Sequence, residues 1–145
     1  MGYSEDLEQI ARQQKELVLP RLDAAVAWEL GTTIRALAVE RQLPVVIDIR
    51  RFGQQLFYTA LEGTTPDNPE WVRRKSNLVA RFLSSSYAIG QRLKLKDESI
   101  EKNGLTEADY APHGGSFPLT VPGAGVIGSV TVSGITTPGT RPNRA

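Results

Sequence analysis

The amino-acid sequence predicts an α/β domain built on a mostly antiparallel sheet, and three observations carry that prediction. A β-branched run at residues 44–49 is followed, across Gly53, by a strand-like stretch at residues 54–61. Apolar residues recur at helical spacing after Asp23 and again after Asn68. Near the C-terminus, alternating residues 116–121 and 125–133 flank Pro122-Gly123-Ala124, the pattern of a second hairpin.

Ser4 begins the first element. No capping-box glutamate follows it, because Leu7 lies three residues on, but Glu5, Asp6 and Glu8 suit a first helical turn. Leu7, Ile10 and Ala11 give this helix a short apolar face, so it is expected at the periphery. Leu17-Val18-Leu19 reads as a short strand, placed at a sheet edge by Pro20, which has no N–H to donate. Asp23 then caps a long helix in which Ala27, Leu30, Ile34, Leu37 and Ala38 share one face and Glu29, Arg35, Glu40 and Arg41 take others.

After the first hairpin, the polar stretch Gly63-Thr64-Thr65-Pro66-Asp67-Asn68 leads to a helix start with Asn68 as N-cap and Pro69 at the first position. That helix carries Trp71, Leu78, Phe82 and Ile89 on one side and is expected to run to about Leu93. Residues 94–115 look irregular apart from one turn at Thr106-Glu107-Ala108-Asp109, and loops of this length are usually functional or mobile. Residues 134–145 are Gly, Thr, Pro, Arg and Asn with one apolar Ile135, which predicts a disordered tail behind a single domain at residues 1–133.

Composition narrows the function classes. A chain of 145 residues, 40% hydrophobic, buries a sufficient core without metal or disulfide staples. With 17 basic and 16 acidic side chains the net charge is +1, so neither nucleic acid nor an anionic membrane is favoured as a partner. The absence of cysteine excludes thiolate catalysis and cysteine-ligated metal sites. No stretch is apolar for long enough to span a bilayer and no secretory leader pattern is present, so a cytoplasmic protein is expected.

Several residues are chemical candidates, each with a structural alternative. His113, the only histidine, is followed by two glycines that let backbone approach a ligand; it suits an iron ligand or a general base, or a local hydrogen-bonding role. Lys75 sets an ammonium beside the apolar stripe of its helix, or lays its methylene stem along it. Arg50, Arg51, Arg73 and Arg74 suit carboxylate recognition, or ion pairs with Asp48 and Glu70. Ser84-Ser85-Ser86 suggests close packing; a hydrolase reading with Ser85, His113 and Asp48 or Asp109 has no nucleophile-elbow motif behind it. Asp48, Glu62 and Asp67 do not have the spacing of a calcium loop, and Gly123-Ala124-Gly125 does not open a helix as a phosphate cradle would.

From Trp28 to Gly134 the chain resembles the "heme-degrading domain-containing" branch of the GlcG/HbpS-like superfamily, which also includes the C-terminal domain of PduO. The resemblance rests on Ala27-Trp28-Glu29-Leu30-Gly31, on residues 44–51 with Gly53-Gln54, on residues 63–68, on Arg73 and Lys75 with Ser85-Ser86-Tyr87, and on Ala108-Asp109-Tyr110 with His113-Gly114-Gly115 and Phe117-Pro118. It implies a three-layer α/β/α domain, profilin-like or PAS-like, with a central sheet of about five strands, and assembly into dimers or larger homo-oligomers. Family members continue past Thr131-Val132-Ser133-Gly134 into another amphipathic helix; here the chain turns to Ile135-Thr136-Thr137-Pro138, so that helix is expected to be absent. The resemblance implies a small ligand, heme or another tetrapyrrole, and with the Arg-rich hairpin and helix starts near one His it gives an expected site of His113, Arg50, Lys75 and neighbouring aromatic side chains, with His113 the metal ligand. An adaptor acting through protein assembly is the alternative, and an enzyme on a small acid or tetrapyrrole a second one.

Overall fold

The computed structural model describes residues 18–134, ordered as α1 (Ala24–Glu40), β1 (Val46–Arg51), β2 (Gln54–Ala60), α2 (Asp67–Phe82), α3 (Ser86–Lys96), a 3-10 turn (Ile100–Asn103), β3 (Ser116–Val121) and β4 (Gly125–Ser133). The strands form one antiparallel sheet in the order β2-β1-β4-β3, with α1 on one face and α2 and α3 on the other, the expected three layers. The helix expected after Ser4 and the tail beyond Gly134 lie outside the described residues.

The sheet has four strands rather than about five. Val18 makes only an isolated parallel bridge to Thr120, where the Leu19 N–H donates to the Thr120 carbonyl at 2.8 Å. Pro20 follows with no donor, so the pairing stops there.

Asp23 caps α1 as expected, its Oδ1 accepting from the Val26 N–H at 2.8 Å. Ala27, Gly31 and Ala38 are buried along the line of contact, with Leu30 and Ile34 half-buried beside them. Leu37 lies off that line and is 48% exposed. Opposite stand Ile47, Ile49, Phe57, Leu119 and Val130, which with α1 form the main apolar core. Ile47 and Ile49 are fully buried, worth about 1.5–3 kcal/mol each.

Strand alternation turns Asp48 and Arg50 of β1, and Ser129, Thr131 and Ser133 of β4, to the face beneath α2. That layer is buried and polar. Asn68 of α2 donates through Nδ2 to Ser133 Oγ at 3.4 Å, Ser116 and Thr131 share a hydrogen bond at 2.8 Å, and the Ser116 N–H donates to Ser86 Oγ at 3.1 Å. A second apolar cluster of Leu78, Ile89 and Ile100, with Phe82, Leu93, Leu105 and Tyr110 against it, joins α2 to α3 and the loop beyond.

Two helix boundaries differ from the sequence expectation. α2 starts at Asp67, and Asn68 lies inside it; its Oδ1 accepts from the Thr65 N–H at 2.8 Å, so the amide ties the incoming loop to β4 instead of capping the helix. The helix expected to run unbroken to about Leu93 is two helices, α2 ending at Phe82 and α3 beginning at Ser86. Leu83 adopts a left-handed conformation with φ 57°, and Ser85 caps α3 by accepting from the Ala88 N–H at 3.1 Å. Hydroxyls that compete for backbone partners favour such a break, and here all three serines are buried at it. Ser85→Ala is expected to cost about 1 kcal/mol, the usual value of a lost N-cap, measured by urea unfolding.

Candidate ligand-binding site

Side chains of α2 hold down the long loop that follows α3. Arg73 donates to Asp109 Oδ1 at 3.0 Å and to the Ala108 carbonyl at 2.9 Å. Arg74 Nε donates to the Glu107 carbonyl at 2.7 Å, Asn77 Nδ2 to the Asp109 carbonyl at 3.0 Å, and the Ala111 N–H to the Arg74 carbonyl at 3.2 Å. The loop is thereby carried back along α2, and His113 arrives at Trp71.

Trp71 is the platform of this site. The His113 ring meets it edge to face, with centroids 5.8 Å apart and planes at 72°. The Arg74 guanidinium lies 4.6 Å and the Lys75 ammonium 5.5 Å from the indole centre, both within cation–π range. Trp71 itself donates to Asp67 Oδ2 at 3.1 Å. Gly115, at φ 132°, closes the site, for a Cβ there would stand 3.0 Å from Lys75 Nζ and 2.6 Å from the Val132 carbonyl. Only glycine lets this backbone pass.

Cations predominate here, although the Asp67 carboxylate takes the Trp71 N–H and Glu107 acts on His113 from a distance. Lys75 is 7% exposed, and its ammonium makes no hydrogen bond or ion pair among the described residues. Burial, reinforced by the Arg74 charge, brings its pKa down to about 8. His113 is exposed on its outer side, yet partial desolvation and then the Lys75 and Arg74 charges hold its imidazole below the ordinary histidine range, so it is neutral at pH 7. A neutral imidazole, free to ligate, thus stands beside two cations suited to carboxylates.

The other candidates are placed elsewhere. Arg50 Nε donates to Asp48 Oδ1 at 2.9 Å, and Gln55 Nε2 to Asp48 Oδ2 at 2.7 Å, in a separate ion pair toward the β1–β2 turn. Arg51 donates to the Leu22 carbonyl at 2.8 Å, and Arg73 pairs with Glu70 as well as Asp109. Ser85 is a cap and carries no triad geometry. Among the described residues no cluster of three or more His, Asp or Glu is arranged to hold a metal ion, and no helix is long and apolar enough to cross a membrane. What the sequence reading missed was the role of Trp71, assigned there to the apolar stripe. Its signal was the spacing of Trp71, Arg74 and Lys75, which stacks both cations one turn beyond the indole.

Residues 22–139 match the family model described as "Haem degrading protein HbpS-like". A UPF0303 protein of Burkholderia ambifaria (strain MC40-6) is 56% identical over 136 residues, covering 93% of this chain and 82% of that protein. Among solved structures, the Ybr137w protein superimposes with a TM-score of 0.81 at 30% identity, covering 90% of this chain and 78% of that one. A structure described as the PduOC:heme complex gives 0.66 at 17% identity, covering 78% of this chain and 82% of that one, a likeness of fold.

The Lys75 environment makes stability pH-dependent. Its folded pKa of about 8 lies below the unfolded value of 10.5, so between these the unfolded chain binds more protons and stability rises with pH, the penalty being full below about 8. Lys75→Met is expected to stabilise the fold at pH 7 by up to about 3 kcal/mol, a gain that shrinks toward pH 10.5. Urea unfolding across that range checks it; a pH-independent gain contradicts it.

Proposed function

Because the chain belongs to the HbpS-like family, we propose that it binds heme or another tetrapyrrole, with His113 as the iron ligand and Lys75 and Arg74 receiving propionate carboxylates. The observation that carries this reading is the pairing of a neutral, outward-facing imidazole with a buried ammonium that has no acidic partner among the described residues, both against Trp71. An unpaired buried cation is costly and is stabilised by an incoming anion. The heme bound in the PduOC complex, on a similar fold, supports the same ligand class. When bound, heme supplies redox chemistry at its iron that no side chain of this cysteine-free chain provides. Arg50, held by Asp48, stands apart from this group.

Self-association is the second part of the proposal. Trp28 and Val39, three turns apart on the same side of α1, are 64% and 50% exposed, apolar area of the kind that a further copy covers. We place the protein in the cytoplasm.

A visible-absorption titration with hemin tests the first part. A saturable Soret shift is expected, lost in His113→Ala and weakened about tenfold in Lys75→Met, the value of one charge-assisted hydrogen bond. A response no stronger than that of an unrelated carrier protein rejects it. For the second part, sedimentation velocity is expected to show a defined oligomer that Trp28→Glu shifts toward monomer; a wild-type monomer rejects it.

A further inference from the structure

We propose that the cleft between the β1–β2 turn, the C-terminal half of α2 and the start of β4 is a second ligand site, which takes a small carboxylate with an apolar or aromatic body. The cleft encloses about 130 Å³, room for the carboxylate and a few carbon atoms. Arg50 forms its polar floor.

The guanidinium is fixed from behind. Asp48 is fully buried and takes Arg50 Nε at 2.9 Å on one oxygen and Gln55 Nε2 at 2.7 Å on the other. Both Nη groups remain without a partner among the described residues, and no acidic side chain lines the cleft. A guanidinium oriented through Nε, with its remaining edge open, matches the two oxygens of a carboxylate. Because Asp48 already balances the cation, recognition rests on hydrogen-bond geometry rather than on excess charge. Ala80 and Ile127 supply apolar wall.

The rim adds an independent observation. Phe52 and Leu83 stand at the edges of the cleft, 80% and 55% exposed. Both are in the left-handed region, at φ 51° and φ 57°, where bulky side chains are rare. At the tip of a two-residue hairpin loop, the residue before Gly53 is ordinarily Asn or Asp. Leu83 takes that conformation as the C-cap of α2, its N–H donating to the Val79 carbonyl, whereas Phe52 holds a strained, solvent-facing turn position that folding alone does not favour for a bulky side chain. They fit the body of a ligand whose carboxylate reaches Arg50. This site is independent of the tetrapyrrole reading, and hemin does not enter its test.

The test is calorimetric titration of the full chain with benzoate, and with benzamide as its uncharged counterpart. Saturable binding of one benzoate per chain is expected, with benzamide at least about tenfold weaker through loss of the charge-assisted pair. Arg50→Gln should abolish binding. Since that change leaves Asp48 without its cation, the decisive variant is Phe52→Asn, which suits the positive φ and should leave the melting temperature unchanged or raised while weakening benzoate about tenfold or more. The proposal is overturned if neither benzoate nor hexanoate binds saturably up to about 10 mM, if benzamide binds equally well, or if Phe52→Asn leaves affinity unchanged. It is equally overturned if Phe52→Asn dissociates an oligomer of a protein that ignores benzoate, which would make the rim a contact between copies.

Discussion

The polar layer between α2 and the sheet is the constraint on which the rest of this molecule depends. An apolar interface tolerates sliding; this one does not, because Asn68, Ser86, Ser116, Thr131 and Ser133 are buried and each must find its partner. A buried polar group left unpaired costs about 1–3 kcal/mol, so a shift of α2 along the sheet would break the Asn68–Ser133 bond, and a shift of α3 the bond between Ser86 and Ser116. Among the described residues Gln91 Oε1 is the one side-chain oxygen or nitrogen wholly cut off from solvent without a partner, Lys75 Nζ keeping a small solvent contact. The layer thus marks the register of α2 and α3 on the sheet, at Asn68 and at Ser86.

Helical periodicity then distributes three tasks over α2. Asn68, Val72, Ser76 and Val79 are buried. Arg73 and Asn77 hold the loop, and Trp71 and Lys75 meet His113. The cations at the His113 side have no ion-pair partner there because carboxylates are engaged otherwise: Asp67 takes the Trp71 N–H, Asp48 serves Arg50 under the sheet, and Asp109 and Glu70 serve Arg73. Lys75 keeps its uncompensated charge because its neighbours there are an indole, a glycine and another cation. The fold concentrates positive potential on a chain whose net charge is only +1.

Much of this architecture was legible in the sequence, where local chemistry decides. Asp23 before an apolar helical stripe, the β-branched run ending at Ile49, and Gly53 between two strand patterns each specified an element that the structure contains. The misreadings share a physical cause. The unbroken helix through the serine run, the Asn68 cap and the strand expected at residues 17–19 were each read from local propensity, whereas Ser86, Asn68 and Leu19 take partners distant in sequence, namely Ser116, Ser133 and Thr120. The site was legible in parts. His113 and Lys75 stood out as residue types, and the structure brings both to Trp71, whereas Arg50 was grouped with them on charge alone. The ion pair with Asp48, two residues earlier on the same strand face and named as the alternative for Arg50, is the one the structure contains.

The loop before β3 has little regular structure, yet it is fastened along its length to α2 and at its end to α3, where Pro112 lies against Gly90 so closely that a Cβ on Gly90 would come within 2.1 Å of the Pro112 carbonyl. Among the described residues, a surface held in this way has no gate. Molecules reach His113 by diffusion alone, without waiting for a segment to open, so arrival rates differ little from one candidate to the next. Discrimination at such a surface resides in how long each visitor stays.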